Sequence, residues 1–96
     1  MATREDIIQK LRAFKVSVAD RYPIASLALF GSFARGEQNT NSDIDVLVEF
    51  NGRVGSGFFE MADELEKQLG GKIDLVSKNG IKPKYFSAIQ SDLIYV

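Results

Sequence analysis

The strongest constraint on this chain is the stretch Phe30-Gly31-Ser32-Phe33-Ala34-Arg35-Gly36, followed after a polar loop by Ser42-Asp43-Ile44-Asp45. Ten residues separate Ser32 from Asp43. From Asp43 to Phe50 the pattern alternates, which predicts a strand with Ile44, Val46, Val48 and Phe50 on one face. Asp43 and Asp45 then share the opposite face. Two carboxylates placed so closely repel unless a cation or a proton sits between them. A hydrophobic core has no use for that arrangement, whereas a site for a nucleoside triphosphate and its metal does.

Composition narrows the choice of metal. The chain has no Cys and no His, so thiolate and imidazole ligands are absent and a structural zinc site is excluded. Oxygen ligation remains, which suits magnesium, manganese or calcium. The same absences remove Cys–His and Ser–His–Asp catalysis. Any enzymatic chemistry falls to carboxylates and a metal. At 96 residues and 45% hydrophobic content, one domain spanning 1–96 with one core is expected. A net charge of −1 argues against stable binding of long nucleic acid by bulk electrostatics. No apolar run approaches the roughly 20 residues of a membrane span, and the N-terminus shows no signal-peptide pattern. A cytoplasmic protein without membrane partners is the expectation.

Read along the chain, Thr3 is a candidate N-cap, with Glu5 and Asp6 suited to the positive end of a helix. Ile7, Ile8, Leu11, Phe14 and Val18 follow at helical spacing in a run closed by Pro23. Ala25 to Phe30 predicts a buried strand, Phe33 to Arg35 a short helix stopped by Gly36, and 37–42 a polar turn. The aspartate strand ends at the turn dipeptide Asn51-Gly52. A helix over about Phe58–Leu69 follows, carrying Phe58, Ala62, Leu65 and Leu69 on one side, and Gly70-Gly71 ends it. Lys72 to Ser77 predicts a third strand, Pro83 opens a last helix to about Gln90, and Leu93–Val96 closes as a short strand. The fold class is α/β (α+β): a small mixed sheet flanked by helices.

Nucleotidyl transfer asks for three things from such residues: a grip on the polyphosphate, divalent metal to offset its charge, and help in deprotonating the attacking hydroxyl. Gly31-Ser32, at the junction of a strand and a short helix, answers the first with close-approaching backbone N–H groups and a hydroxyl. Asp43 and Asp45 answer the second. Asp74 is the candidate for the third, because it interrupts an apolar strand where charge is costly unless compensated. Ile73 and Leu75 take the core face and leave Asp74 on the other. If that strand lies beside the aspartate strand, the three carboxylates converge. They could then hold two metals, roughly 3.5–4 Å apart in known sites of this kind. Lys78, Lys82 and Lys84 form a small basic cluster beyond it, read as an ordinary solvated loop.

Together, Gly31-Ser32-x10-Asp43-x-Asp45, Gly-Ser-x-Ala-Arg-Gly and Ser-Asp-Ile-Asp resemble the signature of the polymerase β-like nucleotidyltransferase superfamily. In length the chain is similar to the minimal nucleotidyltransferases of the MntA antitoxin type. The resemblance implies that fold and a magnesium-dependent transfer of AMP from ATP. In the antitoxin branch the acceptor is a tyrosine on a partner HEPN-domain toxin. By the same resemblance, Gly31 and Ser32 bind phosphate, Arg35 contacts phosphate or the acceptor, and Asp43, Asp45 and Asp74 form the metal-binding and catalytic triad. Nothing else in the sequence could form a deep acceptor pocket, which favours a protein acceptor. Two other readings stay open: a binding antitoxin that only masks its partner, and a small-molecule adenylyltransferase of the antibiotic-modifying kind.

Overall fold

A computed structural model describes residues 3–96. Helix α1 spans Arg4–Ser17 and opens with a capping box: the Thr3 hydroxyl accepts from the Asp6 N–H at 3.1 Å, while Asp6 accepts from the Thr3 N–H at 3.3 Å. It ends well before Pro23. The chain turns away at Val18 to Tyr22 and enters β1, Ile24–Phe30. Helix α2, Gly31–Arg35, follows without a connecting residue, starting two residues earlier than the sequence predicts. Then come β2 (Ile44–Phe50), α3 (Gly57–Leu69), β3 (Ile73–Ser77), α4 (Pro83–Ile89), a 3₁₀ turn over Gln90–Asp92 and β4 (Ile94–Tyr95).

The four strands form one mixed sheet in the order β3-β2-β1-β4. β1 runs antiparallel to both β2 and β4, whereas β2 and β3 run parallel, joined through α3. One face of the sheet holds the larger core. Ile7, Leu11 and Phe14 of α1 and Met61, Leu65 and Leu69 of α3 pack there on Leu27, Leu29, Val46 and Val48. Met61, fully buried, joins the predicted stripe of α3, and Phe58 and Ala62 sit half-buried at its edge. The other face holds a smaller cluster, in which Ala28, Phe30 and Leu47 meet Ile89 of α4.

Covering only part of the second face follows from the sequence. From Leu27 to Phe30 every residue is apolar and all four are buried, the pattern of a strand covered on both sides. β2 alternates differently: Ile44, Val46, Val48 and Phe50 enter the large core, but the second face reads Asp45, Leu47, Glu49. Only Leu47 of those three joins the small cluster. The half of the face that carries Asp45 is therefore left to polar chemistry. The opposite end of β2 is pinned by Asn79, whose side chain accepts from the Phe50 N–H at 3.0 Å and donates to the Phe50 carbonyl at 3.2 Å.

Candidate active site

Three chain segments meet at one end of the sheet. Phe30, the last residue of β1, pairs with Asp45, and Asp45 pairs with Asp74 on the parallel neighbour. Asp43 lies one residue before β2 begins. The loop that delivers it is held by its own polar side chains. The Asn39 N–H donates to the Ser42 Oγ at 3.0 Å, and the Asn41 N–H to the Asn39 Oδ1 at 2.8 Å. Ser42 thus shapes the approach to Asp43, a contribution that the motif alone does not reveal. Ile44, next in the chain, donates to the Lys72 carbonyl at 2.9 Å and locks β2 to the start of β3.

Gly31 closes the other side. Its φ is +74°, a conformation that residues with a side chain rarely adopt. A Cβ there would run into the Asp45 carboxylate, 2.9 Å from its Cγ. The backbone of α2 thus comes as near to Asp45 as an unsubstituted α-carbon allows. Ser32 sits in the first turn of α2 and is half-buried; the N-cap position belongs to Phe30, which has no side-chain cap. Gly36 ends the helix with φ +72°, and Glu37 N–H returns to the Ser32 carbonyl at 2.8 Å.

The electrostatics single out Asp45. Its carboxyl is pushed above the ordinary value, first by burial, then by the charges of Asp74 and Asp43, with Arg35 pulling the other way. The sequence marks Asp74 as a charge inside an otherwise apolar strand, costly unless compensated. The structure corrects this: β3 is an edge strand and Asp74 is exposed, whereas β2 is interior and Asp45 is half-buried. The three carboxylates are brought to one region, yet among the described residues no three acidic groups are gathered closely enough to hold one ion together. The donor set still suits a hard divalent cation, being all oxygen, and Asp45 bears an excess of negative charge that such an ion would relieve. Arg35 is exposed, with Nε at 2.8 Å from Glu37 and Nη1 at 2.7 Å from Asp92. Asp92 lies 57 residues downstream, and no local sequence signal ties it to the motif.

Other features lie elsewhere. A groove of about 580 Å³ is lined by Arg12, Lys15, Val16 and Val96 among others, and by none of the site residues. A smaller cleft of about 330 Å³ does border the site, running from Asn39 through Asp43 to Lys72. In the basic cluster, Lys78 is engaged by Glu49 at 3.8 Å and lies over the Phe86 ring. No helix among the described residues is long and apolar enough to cross a membrane.

A mixed sheet that presents paired carboxylates beside a glycine-opened helix has the parts that nucleotidyl transfer asks for. Residues 11–96 match the family model described as "Nucleotidyltransferase domain", and the chain belongs to that family. It is accordingly an enzyme whose substrate is a nucleotide. A Methanocaldococcus jannaschii protein that carries the provisional name protein adenylyltransferase is 46% identical over 100 residues, with both chains covered in full. Protein adenylyltransferase MntA of Thermococcus cleftensis is 35% identical over 98 residues, covering all of this chain and 98% of that one. Among solved structures, a minimal nucleotidyltransferase superposes with a TM-score of 0.81 at 31% identity, covering 97% of this chain and 95% of the other. At lower identity the fold is shared with a toxin–antitoxin structure containing AMP-PNP (TM-score 0.76, 23% identity, 91% of this chain and 69% of that one). It is shared too with a structure of tri-AMPylated Shewanella oneidensis HEPN toxin in complex with MNT antitoxin (0.62, 20%, 96% and 66%).

Proposed function

We propose that residues 1–96 form a single minimal nucleotidyltransferase domain that moves AMP from ATP to a hydroxyl of a HEPN-type toxin, with tyrosine as the acceptor residue. The protein then acts in the cytoplasm as the antitoxin of a toxin–antitoxin pair. The observation that carries this reading is the register Phe30–Asp45–Asp74, which sets Gly31 against one carboxylate and a second carboxylate directly beside it. Support comes also from full-length likeness to a protein adenylyltransferase of the MntA type.

In this reading Asp43, Asp45 and Asp74 would hold magnesium, two ions in all, and the metal would offset charge on the phosphates and on the leaving pyrophosphate. Gly31 brings backbone N–H groups close to the phosphates and Ser32 adds a hydroxyl donor. Arg35 contributes a positive charge from the end of α2. The acceptor oxygen attacks the α-phosphorus, the bond to the bridging oxygen breaks, and pyrophosphate leaves. Asp74, exposed at the sheet edge, takes the phenol proton or hands it to water. An open, exposed carboxylate face suits an acceptor presented by another protein.

The test is intact-mass spectrometry of the HEPN partner after incubation with this protein, ATP and magnesium, with Asp43→Ala/Asp45→Ala protein in parallel. Whole AMP increments on the partner, absent with the variant, are the expected outcome. A complex that protects against the toxin without any mass gain would replace this reading with masking.

A further inference from the structure

Helix α2 has five residues, too few to hold its own geometry by backbone hydrogen bonds alone. Besides the burial of Phe33 and Ala34 in the large core, two long-range side-chain contacts hold it. Arg4 Nη1 donates to the Ala34 carbonyl at 3.1 Å, and Arg35 Nη1 donates to Asp92 Oδ2 at 2.7 Å. The two carboxylates on Arg35 are not equivalent. Glu37 is two residues away in sequence with its side chain 66% exposed, the setting in which an ion pair contributes little. Asp92 is in the 3₁₀ turn after α4, its side chain only 19% exposed. A short, charge-assisted bond to a carboxylate so shielded from water is the one that sets where the guanidinium sits.

That position bears on the site. Arg35 ends the five-residue helix whose first residue, Gly31, abuts the Asp45 carboxylate. Nε and one N–H of Nη1 are engaged, which leaves three of the five guanidinium donors without a partner among the described residues. We propose that Asp92 is a positioning residue: it holds the Arg35 guanidinium beside the carboxylate face with donors open to the phosphates of an incoming nucleoside triphosphate. The inference rests on the nucleotidyltransferase reading above. It makes the C-terminal turn part of the nucleotide grip, although that turn contributes no atom to the reacting centre.

The experiment is a double-mutant cycle on the full chain, read as affinity for AMP-PNP with magnesium by calorimetry. Asp92→Ala weakens binding about tenfold in the wild-type background, the coupling expected between directly interacting side chains. Arg35→Ala weakens it at least as much, and adding Asp92→Ala to Arg35→Ala changes nothing further. Asp92→Asn, which keeps the shape and one acceptor oxygen, falls between wild type and Asp92→Ala; it also carries the test if the alanine variant does not fold. If Asp92 only braces the C-terminal turn, its loss weakens binding by the same factor with or without Arg35, and that result overturns the proposal. An unchanged affinity in Asp92→Asn and Asp92→Ala overturns it equally. Wild-type protein that neither binds AMP-PNP nor transfers AMP rejects the underlying functional reading, and the inference with it. Those failures are distinct, because the first two arise in a protein that binds nucleotide.

Discussion

Asp45 carries the largest electrostatic burden of the site. Its carboxyl is raised because burial and two neighbouring acids disfavour its charge in the folded state. A raised folded-state pKa means that the native protein binds the proton more tightly than the unfolded chain does. Stability tied to that proton is full below the unfolded value and is lost as pH rises through the folded one. At neutral pH the ionised Asp45 therefore works against the fold. Replacing it with Asn, neutral and nearly isosteric, should raise the thermal midpoint of metal-free protein at pH 7. The gain should fade as pH falls through the raised folded-state value and be gone below the ordinary carboxylate value, where Asp45 is protonated in both states. Melting curves in chelator across pH 3–8 check this, and a midpoint that falls with Asp45→Asn at pH 7 would contradict it.

At the level of elements, the decisive join is β1 to α2. Strand passes to helix with nothing between, and the change of direction is absorbed by the positive φ of Gly31. Gly36 ends the same helix with nearly the same φ, but a Cβ there meets nothing within 4 Å. The two glycines thus separate strain from contact. Gly36→Ala should lose about 1–2 kcal/mol, the penalty for placing a side chain in the left-handed region. Gly31→Ala should lose more, since its Cβ would also have to displace the Asp45 carboxylate. Urea denaturation of both variants gives the comparison, and equal losses would remove the close approach from the account. Elsewhere the elements follow local rules. Thr3 and Asp6 form their box, and Gly70 ends α3 in a left-handed turn. α1 is the exception. Helical spacing carries Val18 in the stripe, and Val18 is indeed buried, but it serves as the C-cap, packing from a turn rather than from the helix.

For the whole molecule, the two faces of the sheet divide the labour. One is sealed by α1 and α3; the other is half covered by α4, and the uncovered half holds the carboxylates. A ligand that binds only this assembled face must stabilise the entire fold, by about 2.7 kcal/mol at a hundredfold excess over its dissociation constant. Magnesium with AMP-PNP should therefore raise the melting temperature of the wild type and leave Asp43→Ala/Asp45→Ala unmoved; an equal rise in both would place the ligand elsewhere. Much of this was written locally. Alternation from Ile44 to Phe50 marks β2 and puts Asp45 opposite the core, while the Gly-Ser spacing, the caps and the absence of Cys and His restrict the chemistry, because each is a short-range property of the chain. Which strand is interior is not such a property. Asp74 stands in the more conspicuous context, one acid in an apolar run, yet the sheet order puts it at the edge and Asp45 inside, so desolvation falls on the other residue. The same holds for Arg35 and Asp92, 57 residues apart, whose contact exists only because α4 folds back over the sheet and returns the chain to α2. Periodicity and turn chemistry determine the elements and the identity of the acids; strand order and long-range packing decide which acid is strained and what holds the arginine, since both depend on contacts that no local pattern encodes.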